Sequence, residues 1–282
     1  MSKLFIHIGM HKTGTSYLQA CVFPYWPGLH YHPNSHLPSL LAALPHQKVL
    51  LSNEQLMGYP FDLDRASLPK FESLLAELAR HFPEADIMMS FRQHGSYLQS
   101  LYKEYLHEGG YLTFDQAYRH SNTEGWIKQD QLEYRARIRR VEAAFGREPF
   151  VFLQEELRHQ PQALFREMNA FFGLPEDTQP LVKAQKGVNA GVEHYQARYL
   201  RWAHGLTRNP LNPKGKLPYY FMYHPVFQAI GLTPRQVAQK RLAFLKKKLT
   251  FPEALFQQIE REYAEDWNGV MEFIKTRREV LL

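Results

Sequence analysis

Short apolar runs alternate with helical patterns along most of this chain. Phe5-Ile6-His7-Ile8 is a first run; it ends at Gly9, and helical spacing takes over near Gly14 and continues to about Phe23. A run of four to eight apolar residues bounded by glycine fits a buried strand. Residues 24–36, with three prolines, three histidines and several aromatics, predict a loop. Gln47–Ser52 predicts a second strand that delivers Asn53 and Glu54 at its carboxyl end. Leu68, Phe71, Leu74, Leu75, Leu78 and Phe82 recur at helical intervals before Pro83, and Ala85–Phe91 is another apolar run, with Arg92 at its end. A helix is expected over Ser96–Glu108, stopped by Gly109-Gly110. Another is expected from a capping box at Asp130–Glu133 to about Phe145. Pro149–Leu153 predicts a further strand, and Pro161–Phe172 a helix capped by Gly173. Beyond it, Thr233-Pro234 opens a helix with apolar positions at Ala238, Leu242, Leu245 and Leu249. Strands alternating with helices predict an α/β fold: a parallel sheet with helices on both faces, followed by a mainly helical final third.

Composition narrows the picture. At 282 residues and 44% hydrophobic, the chain can bury a sizeable core, and one domain over 1–282 is expected, with 192–282 as a helical, basic subregion. The first apolar run is too short for a signal peptide or a membrane span, and the single Cys21 excludes an intrachain disulfide, so a reducing cytoplasm is the expected location. The net charge of +6 is unevenly spread. From His194 to Pro252 there is no Asp or Glu, while eleven Lys and Arg fall there; the rest of the chain is net acidic. Such a segment projects a positive field towards an anionic partner, such as a nucleotide, an acidic glycan or a lipid headgroup surface. A peripheral membrane contact is therefore one expectation.

The chemistry concentrates in Gly9-Met10-His11-Lys12-Thr13-Gly14-Thr15-Ser16. Two glycines permit a turn whose backbone N–H groups converge, and the following helix adds its positive N-terminal end, so the loop should hold a phosphate. A nucleoside-triphosphate loop has lysine directly after its second glycine. Thr15 stands at that place, and the lysine has moved inside the loop as Lys12.

With G-x-x-K-T-G-T-S after a strand, the loop resembles the 5′-phosphosulfate loop of the sulfotransferases. That resemblance implies 3′-phosphoadenosine 5′-phosphosulfate as co-substrate, with His11, Lys12, Thr13, Gly14, Thr15 and Ser16 around its 5′ end and no metal. Phe91-Arg92 followed by Ser100 and Tyr102 is similar to the family's 3′-phosphate motif, although Gln93-His94 replaces the usual residues after the arginine. Val151–Leu157 with Phe171-Phe172-Gly173-Leu174 matches the family architecturally. Gln185-Lys186-Gly187 is similar to a degenerate form of the loop that closes over the 3′-phosphate, which implies roles for Lys186 and Gly187. The implied activity is sulfuryl transfer to a hydroxyl or amine, with a carbohydrate or glycolipid as the expected acceptor. Lys12 would stabilise the leaving oxygen, and Glu54, at the carboxyl end of a strand, would be the general base, with His11 and His94 in reserve.

Two other classes share some of these features. A phosphate-loop kinase is disfavoured by Thr15 and by the lack of an apolar run ending in a magnesium-binding Asp. A nucleic-acid-binding protein would use the basic segment, but no aromatic-interleaved or zinc-spaced motif accompanies it, so no nucleic acid is expected.

Overall fold

The computed structural model describes residues 3–33, 48–58, 60–61, 67–119, 129–183, 192–218 and 224–281. Five parallel strands, β1 (Lys3–Gly9), β2 (His30–His32), β3 (Lys48–Ser52), β4 (Asp86–Phe91) and β5 (Phe150–Leu153), form one sheet in the order β2-β3-β1-β4-β5. Parallel strands need crossovers, and the helices that make them cover both faces. The principal helices are α1 (Thr15–Tyr17), α2 (Ser67–His81), α3 (His94–His107), α4 (Tyr134–Phe145), α5 (Gln154–His159), α6 (Pro161–Phe172), α7 (His194–Leu206), α8 (Glu253–Glu262) and α9 (Ala264–Leu281).

Alternation along each strand divides the core in two. Leu4, Ile6 and Ile8 of β1 join Val49, Leu51, Ile87, Met89 and Val151 beneath α2, α3 and α4. Phe5, Leu50, Met88, Phe150 and Phe152 face the opposite way, against Leu18, Phe23 and Trp26 and the α6 residues Leu164, Phe165, Met168 and Phe172. Burying each such side chain is worth about 1.5–3 kcal/mol, which makes these two layers the main stabilising term. Cys21 is buried as a free thiol in the second layer.

Three expectations need correction. The stretch 24–36 is not all loop, because His30–His32 pairs with Val49–Leu51 as edge strand β2. Three residues are too few to leave a periodic signature. The capping box at Asp130–Glu133 does not form. A 3₁₀ turn occupies Gln129–Leu132, and the first N–H groups of α4, at Tyr134 and Arg135, donate to Asp266 of α9 at 3.0 and 3.1 Å. The helix after Thr233 starts as expected, with Thr233 and Gln236 forming its cap, but ends at Arg241 as a π-turn. The chain beyond it runs alongside α7, where the His194 N–H donates to the Lys247 carbonyl at 2.8 Å. Among the described residues no helix is long and apolar enough to cross a membrane.

Candidate active site

The loop after β1 lies at the carboxyl end of the sheet, where ligands bind in open parallel sheets. Lys12 and Gly14 both take positive φ, 66° and 92°. Left-handed backbone of this kind turns successive N–H groups to one side and forms an anion-binding nest. For a lysine that conformation costs about 1–2 kcal/mol, so something must hold it. Arg92 does, donating from Nη1 to the Lys12 carbonyl at 3.3 Å. Gly9 is required for space, since a Cβ there would lie 2.2 Å from Thr15 Oγ1.

Beneath the loop runs a buried polar chain with a single consistent direction. Gln19 Nε2 donates to Ser52 Oγ (3.2 Å), Ser52 to His7 Nδ1 (2.8 Å), His7 Nε2 to Ser90 Oγ (3.3 Å), Ser90 to Thr13 Oγ1 (2.7 Å), and Thr13 to the Met10 carbonyl (2.6 Å). The strand register makes this chain possible: His7 is paired with Ser52 on one side, and Gly9 with Ser90 on the other. Gln19 Nε2 also donates to the Ser52 carbonyl at 3.0 Å, and read in this direction the chain assigns His7 as a neutral imidazole protonated at Nε2. Burial pushes its pKa down to about 3, which agrees with that assignment.

Beside the loop is a cleft of about 980 Å³. His11, Lys12, Gly14, Thr15, Ser16 and Glu54 line it, as do Ser100, Lys103, Glu104 and His107 along α3. Glu54 opens a 3₁₀ turn whose cap is Asn53, which accepts from the Gln55 N–H at 2.9 Å. His11 Nδ1 lies 3.7 Å from Glu54. Burial lowers the His11 pKa, opposed by Glu54 and Glu104 and reinforced by Lys12, so its imidazole is neutral at pH 7. Lys12 Nζ is 2.7 Å from Glu104 Oε2. Burial alone would raise the Glu104 pKa, but the Lys12 hydrogen bond and charge, with His107 and Arg235 nearby, bring it below the ordinary carboxylate value.

A second cationic group stands at the Ser100 side. Lys103 is half-buried, and its pKa is lowered by burial; Glu193 opposes this, while Arg92 and Lys248 add to it. These cations are therefore close enough to feel one another. Arg92 Nε is buried and has no hydrogen-bond partner among the described residues. Burial lowers the Arg92 pKa, with Glu155 opposing. Such a group is suited to receive an anion. The far wall is apolar, from Leu56, Phe61, Phe71 and Leu74, with Lys70, Arg235 and Gln239 at its edge.

The structure thus brings together His11, Lys12, Thr13, Gly14, Thr15, Ser16, Glu54 and Ser100, with Arg92 behind the loop. Tyr102 is placed elsewhere. Two residues along a helix is a rotation of about 200°, so it cannot share a face with Ser100. Its hydroxyl donates to the Leu112 carbonyl at 2.9 Å in the core. His94 is also in the core, stacked on Tyr134 and Tyr263, with Nε2 2.9 Å from the Leu132 carbonyl. Lys186 and Gly187 lie outside the described residues, although Val192, just beyond that stretch, lines the cleft. Lys103, Glu104 and His107 were not anticipated. They sit three, four and seven residues after Ser100, which is the spacing of one helix face, and extending the face from Ser100 would have found them.

No family model matches the chain, and no curated protein matches it in sequence. Among solved structures it is similar to a sulfotransferase from Alicyclobacillus acidocaldarius, with 16% identity over 66% of this chain and 87% of that one, at a TM-score of 0.50. Mouse sulfotransferase SULT7A1 complexed with PAP is also similar, with 14% identity over 62% of this chain and 59% of that one, at a TM-score of 0.38. The chain has the sulfotransferase fold: a parallel sheet in which a phosphate-type loop leaves the first strand.

Proposed function

We propose that this protein transfers a sulfuryl group from 3′-phosphoadenosine 5′-phosphosulfate to a hydroxyl or amine, with a carbohydrate or glycolipid as the acceptor class. The observation that carries the reading is the pairing of Lys12, inside a left-handed loop on β1, with Glu54 at the end of the neighbouring β3, across one cleft. The loop N–H groups and Lys12 receive the 5′ end of the donor. Arg92, Ser100 and Lys103 take its 3′-phosphate, and Lys186 and Gly187 add to that group. Tyr102 has no part in it.

Glu54 accepts the proton of the acceptor hydroxyl as the oxygen forms its bond to sulfur. The bond from sulfur to the bridging oxygen breaks, and Lys12 with the loop N–H groups stabilises the charge left on the nucleotide. Preorganised donors of this sort are worth roughly 3–4 kcal/mol each at the transition state. His11, 3.7 Å from Glu54, lines the same cleft beside the loop.

The test is thermal stabilisation by 3′-phosphoadenosine 5′-phosphate compared with ATP and ADP. A ligand at a hundred times its Kd stabilises by about 2.7 kcal/mol, a readily measured rise in Tm. Selective stabilisation by the 3′-phosphorylated nucleotide is expected; equal or greater stabilisation by ATP would refute the donor assignment.

A further inference from the structure

Helix α7 carries a stripe of large apolar side chains, of which Tyr195, Trp202 and Leu206 are exposed and Tyr199 packs partly against the core. Tyr195, Tyr199, Trp202 and Leu206 recur at i, i+4, i+7 and i+11, and at about 100° per residue they fall within one narrow arc. Trp202 is 64% exposed, Tyr195 40% and Leu206 39%, and the Tyr199 and Trp202 rings lie 6.1 Å apart. The opposite face, with Gln196, Ala197, Leu200 and Ala203, is buried. The stripe is prolonged by Leu217, also exposed, whose N–H donates to the Leu206 carbonyl at 2.9 Å.

Cations border this stripe, and the whole segment contains no acid. Lys240, Arg241, Lys246 and Lys247 are exposed, and none has an ion-pair partner among the described residues. Arg241 is close enough to the Tyr199 phenol to act on it electrostatically, and the Lys247 carbonyl holds the first N–H of α7. Phe244, 73% exposed, stands between them.

We infer that this face docks on an anionic phospholipid bilayer, with the Trp202 stripe at the headgroup boundary and Lys240, Arg241, Lys246 and Lys247 against the lipid phosphates. Charge complementarity selects the partner. Protein interfaces are depleted in lysine at their cores, which disfavours a protein partner. A nucleic acid would use the cations and rings but has no use for exposed Leu206 and Leu217. Tryptophan, tyrosine and leucine beside lysine and arginine are the composition of a helix lying in the interface plane. The inference holds whether or not the cleft transfers a sulfuryl group.

The experiment is co-sedimentation of the full chain with phosphatidylcholine vesicles, with and without phosphatidylserine, at low and high salt. Binding is expected only with phosphatidylserine, weakening as salt rises, and each cation removed in a Lys240→Gln, Arg241→Gln, Lys246→Gln series should weaken it roughly fivefold. Trp202→Ser should abolish most of the binding. Trp202→Phe should retain it but remove the vesicle-induced blue shift of tryptophan emission. Circular dichroism and Tm confirm that each variant is folded. Any of three outcomes overturns the inference: no binding to anionic vesicles, RNA binding that the same substitutions remove with equal effect, or a concentration-dependent dimer that Trp202→Ser dissociates.

Discussion

Glu104→Gln should tighten donor binding. In the free protein, Lys12 Nζ is 2.7 Å from the Glu104 carboxylate, and both side chains are about a quarter to a third exposed. A charge-assisted hydrogen bond in such a setting contributes about 1.5–3 kcal/mol net, and solvent screening favours the lower end. A bound nucleotide must take Lys12 from that carboxylate and then lie beside it. Gln preserves the shape while removing both the competition and the repulsion. A gain of about 1.4–2 kcal/mol follows, which is a roughly 10- to 30-fold lower Kd. Titration calorimetry with 3′-phosphoadenosine 5′-phosphate measures it directly, and the gain should shrink as salt rises. The Glu104 pKa is depressed in the fold, so the pair contributes stability above the ordinary value of 4.5 and loses it as pH falls through the lowered value. An unchanged or higher Kd for Glu104→Gln would mean that the carboxylate positions Lys12 rather than competing for it.

Ser100→Ala should weaken a 3′-phosphorylated nucleotide by tenfold or more, about 1.4 kcal/mol, and leave its analogue without that phosphate nearly unaffected; Arg92→Ala should weaken both, because Arg92 also holds the Lys12 carbonyl of the loop, but the 3′-phosphorylated nucleotide more; Tyr102→Phe should change neither. Parallel titrations with the two nucleotides decide this: equal losses for both in Ser100→Ala, or no excess loss for the 3′-phosphorylated nucleotide in Arg92→Ala, would move that residue out of the 3′-phosphate site. Glu54→Gln should keep donor affinity and lose about 10²- to 10⁴-fold in kcat, because an amide cannot take the acceptor proton; full turnover would move the base to His11. Burial lowers His7 from 6.5 to about 3. Above pH 6.5 it is neutral both folded and unfolded; below that the unfolded chain takes up a proton the fold refuses, so stability falls by about 1.4 kcal/mol per pH unit down to about 3. Urea unfolding of wild type and His7→Asn across this range should show a shallower slope in the variant, and parallel slopes would refute the assignment.

Much of the fold could be read from the sequence because buried parallel strands are continuous apolar runs, and β1, β3, β4 and β5 all have that form. The place of the turn after β1 was equally readable, since a lysine between fixed glycines is a local pattern. What could not be read was set by distant partners. Asp266 caps α4 from 132 residues away, so no local box was needed. Leu242, Leu245 and Leu249 have helical spacing, yet the segment gives up the helix to pair with the start of α7. Tyr102 matches a motif in spacing but faces the core, because two positions along a helix turn a side chain by about 200°. Lys103, Glu104 and His107 share Ser100's face of the helix, and no motif along the chain marks them.

The polar chain beneath the loop bears on how the site can adapt. It runs from β3 through β1 to β4, and Glu54 begins two residues after Ser52, one of its members. The distance from loop to carboxylate is therefore a property of the sheet, set before any ligand arrives and insensitive to salt. The α3 side is built differently, from Lys12–Glu104 and the Arg235–Glu108 contact at 3.5 Å, both partly open to water. One wall of the cleft is a fixed jaw and the other is adjustable. Changes in ionic strength should act on how tightly the adjustable jaw grips a nucleotide, while the alignment of the reacting atoms, held by the fixed one, stays the same.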